Sequence, residues 1–576
     1  MRIIRFFQLF IVFAVPFLFV AEETIQEEQI LRHIHDHMII KDYSCALREA
    51  EEGLCLYQNS DKMKEAYAEA LAKTGKNGEA ILFLQQNMPS RALLETIAWS
   101  VLKEGRLSSQ YAVRLSSLIG SALTNDAKAI EFLLSALDDS SAIVRSVAVQ
   151  LSMHYGDCIL QEKLAHVFEK EKVFWVRMEM LRAFGQMRVK KMASYLTEIA
   201  ASDEKTFEEK ALAIHSLVNI YDKAKSEEVL ALTQSPKAGL RQFGCQLAAH
   251  FEVKGVKHQI CQLLQDPRPD VRIAALNALG LYFRFELKKE DVFPLLEQSL
   301  ADRMPSVAIT AAWVAMILQH PKAEAFFQHW LLHPIEKNRR LAAAALAKSG
   351  SFGVVLAQKM LRRTEDPCVA ANLALGLLGQ RVEVKKCCEI LFDFLRNKNG
   401  LWSWDEKEGT LFQVLSHSDL RHDELIPYYP EAEDAMVTLR LLSFLAIEED
   451  DRALEGLKRF LSHKHWGMSA LAAITLLQEG GVPEAQLVRK LLQDPDCNLR
   501  CQAALALAFL AKDRSALPIL IEAYQKADYE LKERILEALG QIGSEESLPF
   551  LFQILKEPFL QLRVIAASSL IQCLNR

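Results

Sequence analysis

Glycine and proline are scarce in this chain, 23 and 17 in 576 residues, and aromatic residues make up only 8% of it. With half the residues hydrophobic, that scarcity argues against long disorder and suits an all-helical globular protein. Charge of one sign is missing too. Lys and Arg number 68 against 74 Asp and Glu, a net charge of −6 with no basic face, so nucleic acid is not expected as a partner. No G-x-S-x-G, phosphate-binding G-x-x-x-x-G-K-[ST], H-E-x-x-H or dinucleotide fingerprint occurs. The eleven cysteines lie mostly singly in apolar helical stretches, as around Cys245, Cys261 and Cys573, and read as buried thiols. Cys497 and Cys501 lack a second pair at zinc-site spacing. No catalytic, cofactor or metal site is expected from these absences, and no cofactor is called for.

What the chain does have is one motif many times over. Leu263 to Gly280, LLQDPRPDVRIAALNALG, holds a helix end at Leu263-Leu264, a break at Asp266-Pro267 and a new helix whose apolar positions Val271, Ala274, Ala275, Ala278 and Leu279 follow helical spacing. Aligned on Arg272, equivalent positions are Arg145, Arg177, Lys210, Arg241, Ala308, Arg339, Ala371, Gly467, Arg500, Lys532 and Arg563, 31 to 36 residues apart except for a gap of 96 before Gly467. Six residues earlier stands an acid in eight of twelve copies, among them Asp139, Glu171, Asp266, Glu365, Asp494 and Glu557. A pair of short amphipathic helices cannot bury its apolar faces alone. Copies at a fixed period therefore imply a stack with a continuous core.

The motifs D-P-x-P-D-V-R-x-A-A-x-x-A-L-G at Asp266–Gly280, D-P-D-C-N-L-R-C-Q-A-A-L-A-L-A at Asp494–Ala508 and E-P-F-L-Q-L-R-V-I-A-A at Glu557–Ala567 resemble HEAT repeats of the short, phycobilisome-lyase type. The resemblance covers about three quarters of the chain. It implies an all-α fold, a right-handed α-solenoid of about thirteen or more helical hairpins, in which turn acid and helix-opening base form a ladder between repeats. Asp139, Arg145, Arg177, Arg241, Asp266, Arg272, Asp494, Arg500, Glu557 and Arg563 are then structural. An acid at the turn can accept hydrogen bonds from free helix-start N–H groups and from the next arginine. Hydroxylases built on such repeats take their metal from His-Glu dipeptides, and this chain has none among its fifteen histidines. The lyases share the scaffold but give no catalytic position to carry over.

The expected divisions are an export signal or anchor over 1–21, tetratricopeptide-like hairpins over 22–120, HEAT repeats over 121–396 and 434–576, and an irregular aromatic insert over 397–433. Arg2 and Arg5 precede an apolar run from Phe6 to Ala21, the layout of a secretory signal, although the large Phe19 makes a poor cleavage site. An exported protein, periplasmic or membrane-anchored, follows, with membrane contact only through that segment if it stays uncleaved. The tetratricopeptide resemblance rests on Ala46, Ala50, Leu54, Ala66, Ala70, Leu71, Gly75, Gly78 and Ala80, without that family's full aromatic and proline pattern. Of His33, His35 and His37, only the first and last share a helix face. His329 and His333 repeat that spacing with no third ligand near. In the insert, Trp402, Trp404, Tyr428 and Tyr429 concentrate among Gly, Pro, Ser and charged residues, and are either anchors for a partner or caps on irregular repeats. The function that fits is a non-enzymatic scaffold of a bacterial cell envelope, binding a protein or peptide on its concave face. An enzyme or cofactor-binding protein that uses the groove as a pocket is the alternative.

Overall fold

The structure is a computed structural model. It describes residues 26–84, 89–282, 289–397, 401–406, 409–417, 430–447, 452, 455–456 and 488–575. The export segment, Tyr428, Tyr429 and Gly467 lie outside the described residues. The fold is an all-α solenoid of antiparallel helix pairs, with one two-stranded sheet among the described residues. In chain order, the helices that position the features of interest are α1 (Arg91–Arg106), α2 (Tyr111–Leu123), α3 (Ala238–His250), α4 (Pro269–Leu281), α5 (Pro305–Ile317), α6 (Glu336–Lys348), α7 (Pro367–Gly379) and α8 (Val384–Arg396). Then come β1 (Trp402–Glu406), β2 (Gln413–His417), α9 (Pro430–Ile447), α10 (Tyr529–Ile542) and α11 (Leu560–Leu574). No helix among the described residues is long and apolar enough to cross a membrane.

The repeat starts as its residues dictate. Pro269, Pro305 and Pro367 open α4, α5 and α7, where a missing N–H costs nothing and the ring presets the helical φ. Asp366 caps α7 by accepting from the N–H groups of Cys368 and Val369. At Asp266 the short first helix has already tightened into a 3-10 turn over Leu263–Gln265, so the chain reverses within a few residues.

The chain divides into two compact units, one made of Met1–Leu151 with Pro483–Arg576 and the other of Ser152–Val482. The described part of the expected C-terminal block, 488–575, thus groups with the N-terminal helices. The physical reason is visible at α11, which packs on α10 and also on both α1 and α2. Ser568 donates a buried hydrogen bond to the Gly120 carbonyl (2.8 Å), and Arg563 Nη2 reaches Glu104 Oε1 at 3.0 Å. A Cβ on Gly120 would lie 2.9 Å from that of Ser568, so only glycine lets the two helices approach so closely.

In the unit Ser152–Val482, helices α3 to α7 are the second members of successive pairs and pack side by side: α3 on α4, α4 on α5, α5 on α6 and α6 on α7. Every residue of α5 from Val307 to Ile317 is buried, because that helix is covered on all sides. Its Trp313 lies against Gly280 of α4, where an added Cβ would meet the indole at 2.5 Å.

Seven cysteines are buried, Cys45 is half-buried, and Cys55, Cys158 and Cys497 are exposed. Burial pushes Cys368 up to about 12 and Cys261, Cys387 and Cys501 up to about 11, which leaves almost no thiolate at neutral pH. Titration with a thiol reagent at pH 7 should therefore show Cys55, Cys158 and Cys497 reacting within minutes, and the seven buried thiols only in denaturant. A buried thiol reacting as fast as these would contradict the packing.

Candidate functional site: the inner helix row and its hairpin

The repeated charges come first, since they are the strongest pattern in the sequence. Within a repeat, the arginine opening the second helix donates to the main-chain carbonyl six residues earlier: Arg145 to Asp139, Arg177 to Glu171, Arg272 to Asp266 and Arg500 to Asp494, at 2.7 to 3.1 Å. Between repeats, Arg241 grips Asp266 with Nε (2.6 Å) and Nη2 (2.9 Å). Arg272 Nη2 meets Asp302 at 3.0 Å, and Arg339 Nη2 meets Asp366 at 2.9 Å. Hydrogen bonding to Asp266 raises the Arg241 guanidinium further. The acids also accept from helix-start N–H groups, Ser141 on Asp139, Arg268 on Asp266 and Asp496 on Asp494. These side chains tie turns to helices, and none of them lines the cavity described next.

Three positions differ from the sequence alignment. The acid that meets Arg339 is Asp366, not the aligned Glu365, because Asp366 is the capping residue whose oxygens face the preceding repeat. Arg563 bridges to Glu104 of α1. Arg114 of α2 binds Asp139 with two donors, 2.7 and 2.8 Å, and also holds the carbonyls of Ser108 and Ser109. Burial pushes the Asp139 carboxyl up, but the bonds from Arg114 and Ser141 outweigh it and leave the group below its ordinary value. Sequence reasoning missed Arg114, although it stands 31 residues before Arg145, at the chain's own period.

The expected histidine sites resolve into local contacts. His333 Nδ1 accepts from the Ile335 N–H at 3.1 Å, with its ring stacked on Trp330, and so caps a turn. His37 lies 3.3 Å from Glu49 and, with Asp42 and Cys45, forms a group whose ligand atoms fall within 4.8 Å of one another. The Cys45 thiol is raised by its hydrogen bond with Asp42, which disfavours the thiolate a metal would need.

The aromatic insert is where a site takes shape. Between 401 and 417 the chain forms an antiparallel hairpin in which Trp402 pairs with His417, Trp404 with Leu415 and Glu406 with Gln413. The alternation Trp-Ser-Trp over 402–404 is a strand signal that the sequence reading passed over. Two strands alone are marginal in water. This pair is held because both its faces are covered: Trp402, Ser403, Val414 and Leu415 are all at most 4% exposed. Trp402 packs on Phe394 of α8, ring centroids 4.2 Å apart, and its N–H donates to Asp434 of α9 at 2.9 Å.

The hairpin lies along the inner helix row. Asn277 of α4 donates to the Gly409 carbonyl (2.9 Å), and Phe412 meets Trp313 of α5 edge-on at 5.7 Å. Asn372 of α7 acts like a third strand, donating to the Leu415 carbonyl (3.0 Å) and accepting from the Leu415 N–H (3.1 Å). Truncation of Asn372 to Ala should cost about 2 kcal/mol by orphaning these buried groups, and should speed exchange of the Leu415 amide by about 30-fold in native-state hydrogen exchange. Unchanged protection there would show that the asparagine does not hold the hairpin.

Where the hairpin bridges α6, α7 and α9 it leaves a cavity of about 870 Å3, lined in part by Trp404, Phe412, Leu375 and Phe444, with Lys348 and Arg381 at its charged positions. Trp404, expected with Trp402 as one aromatic pair, is thereby separated from it: Trp402 is core and Trp404 is a cavity wall.

A family model for HEAT repeats matches residues 226–317, 256–348 and 484–571. Over these segments the chain is a HEAT-repeat protein. The matched stretches include α4, α5 and α6, so the inner row bearing the hairpin is a row of HEAT second helices. No curated protein matches the sequence. Among solved structures, the complex of CpcE and CpcF of phycocyanin lyase from Nostoc sp. PCC7120 aligns at 17% identity, over 46% of this chain and 93% of that one, with a TM-score of 0.27. The Kap95:Nup1 complex aligns at 12% identity over 92% and 77%, TM-score 0.35. The karyopherin Kap121p bound to the extreme C-terminus of the protein phosphatase Cdc14p aligns at 12% over 98% and 83%, TM-score 0.33. None of these likenesses assigns a function to this chain.

Proposed function

We propose that this HEAT-repeat protein is a non-enzymatic protein-interaction scaffold of a bacterial cell envelope, and that its partner binds on the row of second helices. One observation carries the reading: that row already holds a polypeptide segment, the chain's own hairpin, through side-chain contacts to its backbone at Gly409 and Leu415. Rigid stacked repeats with a polypeptide-accepting face suit a binding role. The recurring charges are consumed in joining repeats, which leaves specificity to the apolar and amide groups of the inner row. Export rests on the basic and apolar layout of residues 1–21.

A photoreactive residue at Leu411, beside the cavity, should crosslink to one discrete protein in the native envelope fraction. The same residue at Val355, 72% exposed on the first helix of its pair, should not. Equal labelling from both positions, or recovery of the chain outside the envelope, would defeat the proposal. A stoichiometric metal or chromophore in the purified exported form would defeat its non-enzymatic part.

A further inference from the structure

The geometry points to the cavity between the hairpin and α6, α7 and α9 as a binding site for a small amphipathic anion, an apolar body carrying a carboxylate or similar acidic head. This goes beyond the scaffold reading and does not depend on it. Its volume, about 870 Å3, falls within the range of small-ligand pockets. The walls supply three aromatic rings, Trp404, Phe412 and Phe444, together with Leu375, a surface that favours a hydrocarbon or aromatic body.

Charge decides the head group. Among the described residues the lining includes two cations, Lys348 and Arg381, and no acid. The indole Nε1 of Trp404 is a buried donor with no hydrogen-bond partner. By contrast, the Asn372 amide in the same wall is already committed to Leu415 and Cys368. Donors and positive charge on an apolar pocket select an acceptor-rich, negatively charged group. The hairpin also bears on the size of the occupant. By lying from Asn277 to Asn372 it covers the inner row that an extended peptide would follow, and turns an open face into a bounded pocket.

Two probes with nearly the same aromatic body separate the terms: anilinonaphthalenesulfonate, which carries an anion, and neutral N-phenylnaphthylamine. Titrated into the whole protein, the sulfonate should bind at one saturable site and be displaced by dodecanoate but not by dodecanol. Lys348 is exposed, so Lys348→Gln should leave the fold intact. This variant should weaken sulfonate binding about five-fold without changing binding of the neutral probe, the size expected for losing one partly exposed ion pair. Gly379 lines the cavity and an added Cβ there meets nothing within 4 Å, so Gly379→Phe should fold normally and abolish binding of both probes. Equal affinity of wild type for the two probes, with Lys348→Gln changing neither, would overturn the anion selectivity. Sulfonate binding that survives Gly379→Phe in a protein with unchanged circular dichroism would overturn the site itself.

Discussion

Replacing Trp402 with alanine should lower the stability of the unit Ser152–Val482 by about 3–5 kcal/mol, the cost of emptying a large aromatic site in a packed interior. The indole is 4% exposed and lies 4.2 Å from the Phe394 ring, and its strand is fastened to α9 through Asp434. Few neighbours can collapse into the space, because β1 is held on one side by α9 and on the other by β2. Trp404→Ala is the matched control. That side chain is only half-buried and borders an existing cavity, so its removal enlarges a space already present and should cost less than about 1.5 kcal/mol. Urea unfolding followed by circular dichroism compares the two. If Trp402→Ala unfolded like wild type while Trp404→Ala collapsed, the assignment of one ring to the core and the other to the cavity wall would be reversed.

The second large effect is expected at Asp266. Its side chain is 4% exposed, that of Arg241 is 12% exposed, and the two make a fork of hydrogen bonds at 2.6 and 2.9 Å. Asp266→Ala strips a buried guanidinium of its counter-charge and removes the acceptor from the Arg268 N–H, so a loss of about 3 kcal/mol is expected. Arg241→Met combined with Asp266→Ala should be less damaging than the sum of the single changes by more than about 1 kcal/mol, since the orphaned charge disappears with its partner. Asp494→Ala gives the scale. That acid is only half-buried and accepts from the Asp496 N–H, so its loss should cost less than about 1 kcal/mol. Strict additivity at Arg241 and Asp266 would mean that the pair does not join the repeats.

The ladder illustrates what a one-dimensional pattern can and cannot convey. That an arginine opens the second helix and an acid sits at the turn is plain in the 31 to 36 residue period, because each brick meets the same local demands of capping and reversal. Which carboxylate a given guanidinium reaches is another matter. Arg339 takes Asp366 rather than its neighbour Glu365, and Arg563 reaches back to Glu104, 459 residues away in the chain. Side-chain reach is settled by the rotation of one repeat on the next, which no spacing records.

The candidate site shows the same division. Trp402 and Trp404 stand out in the sequence by composition alone, and their two possible roles, core and exposed anchor, cannot be separated there. Backbone pairing with 413–417 and the contact with Phe394 separate them. The Trp-Ser-Trp alternation is a legible strand signal, overridden in reading by the surrounding helical period. Asn277 and Asn372 carry no signal at all, because an asparagine on a helix becomes a hairpin clamp only when a strand edge arrives beside it.

By itself, then, the amino-acid order determined the helical class, the repeat, its caps and its charged joints, since all of these arise from interactions within one turn or between adjacent helices. Only the tertiary structure decided that the last helix packs on α1 and α2, that a β-hairpin lies on the inner row, and that a cavity opens beneath it. These depend on contacts between residues tens to hundreds of positions apart, such as Ser568 with Gly120 and Leu415 with Asn372, whose energies come from burial and hydrogen-bond geometry that no local period encodes.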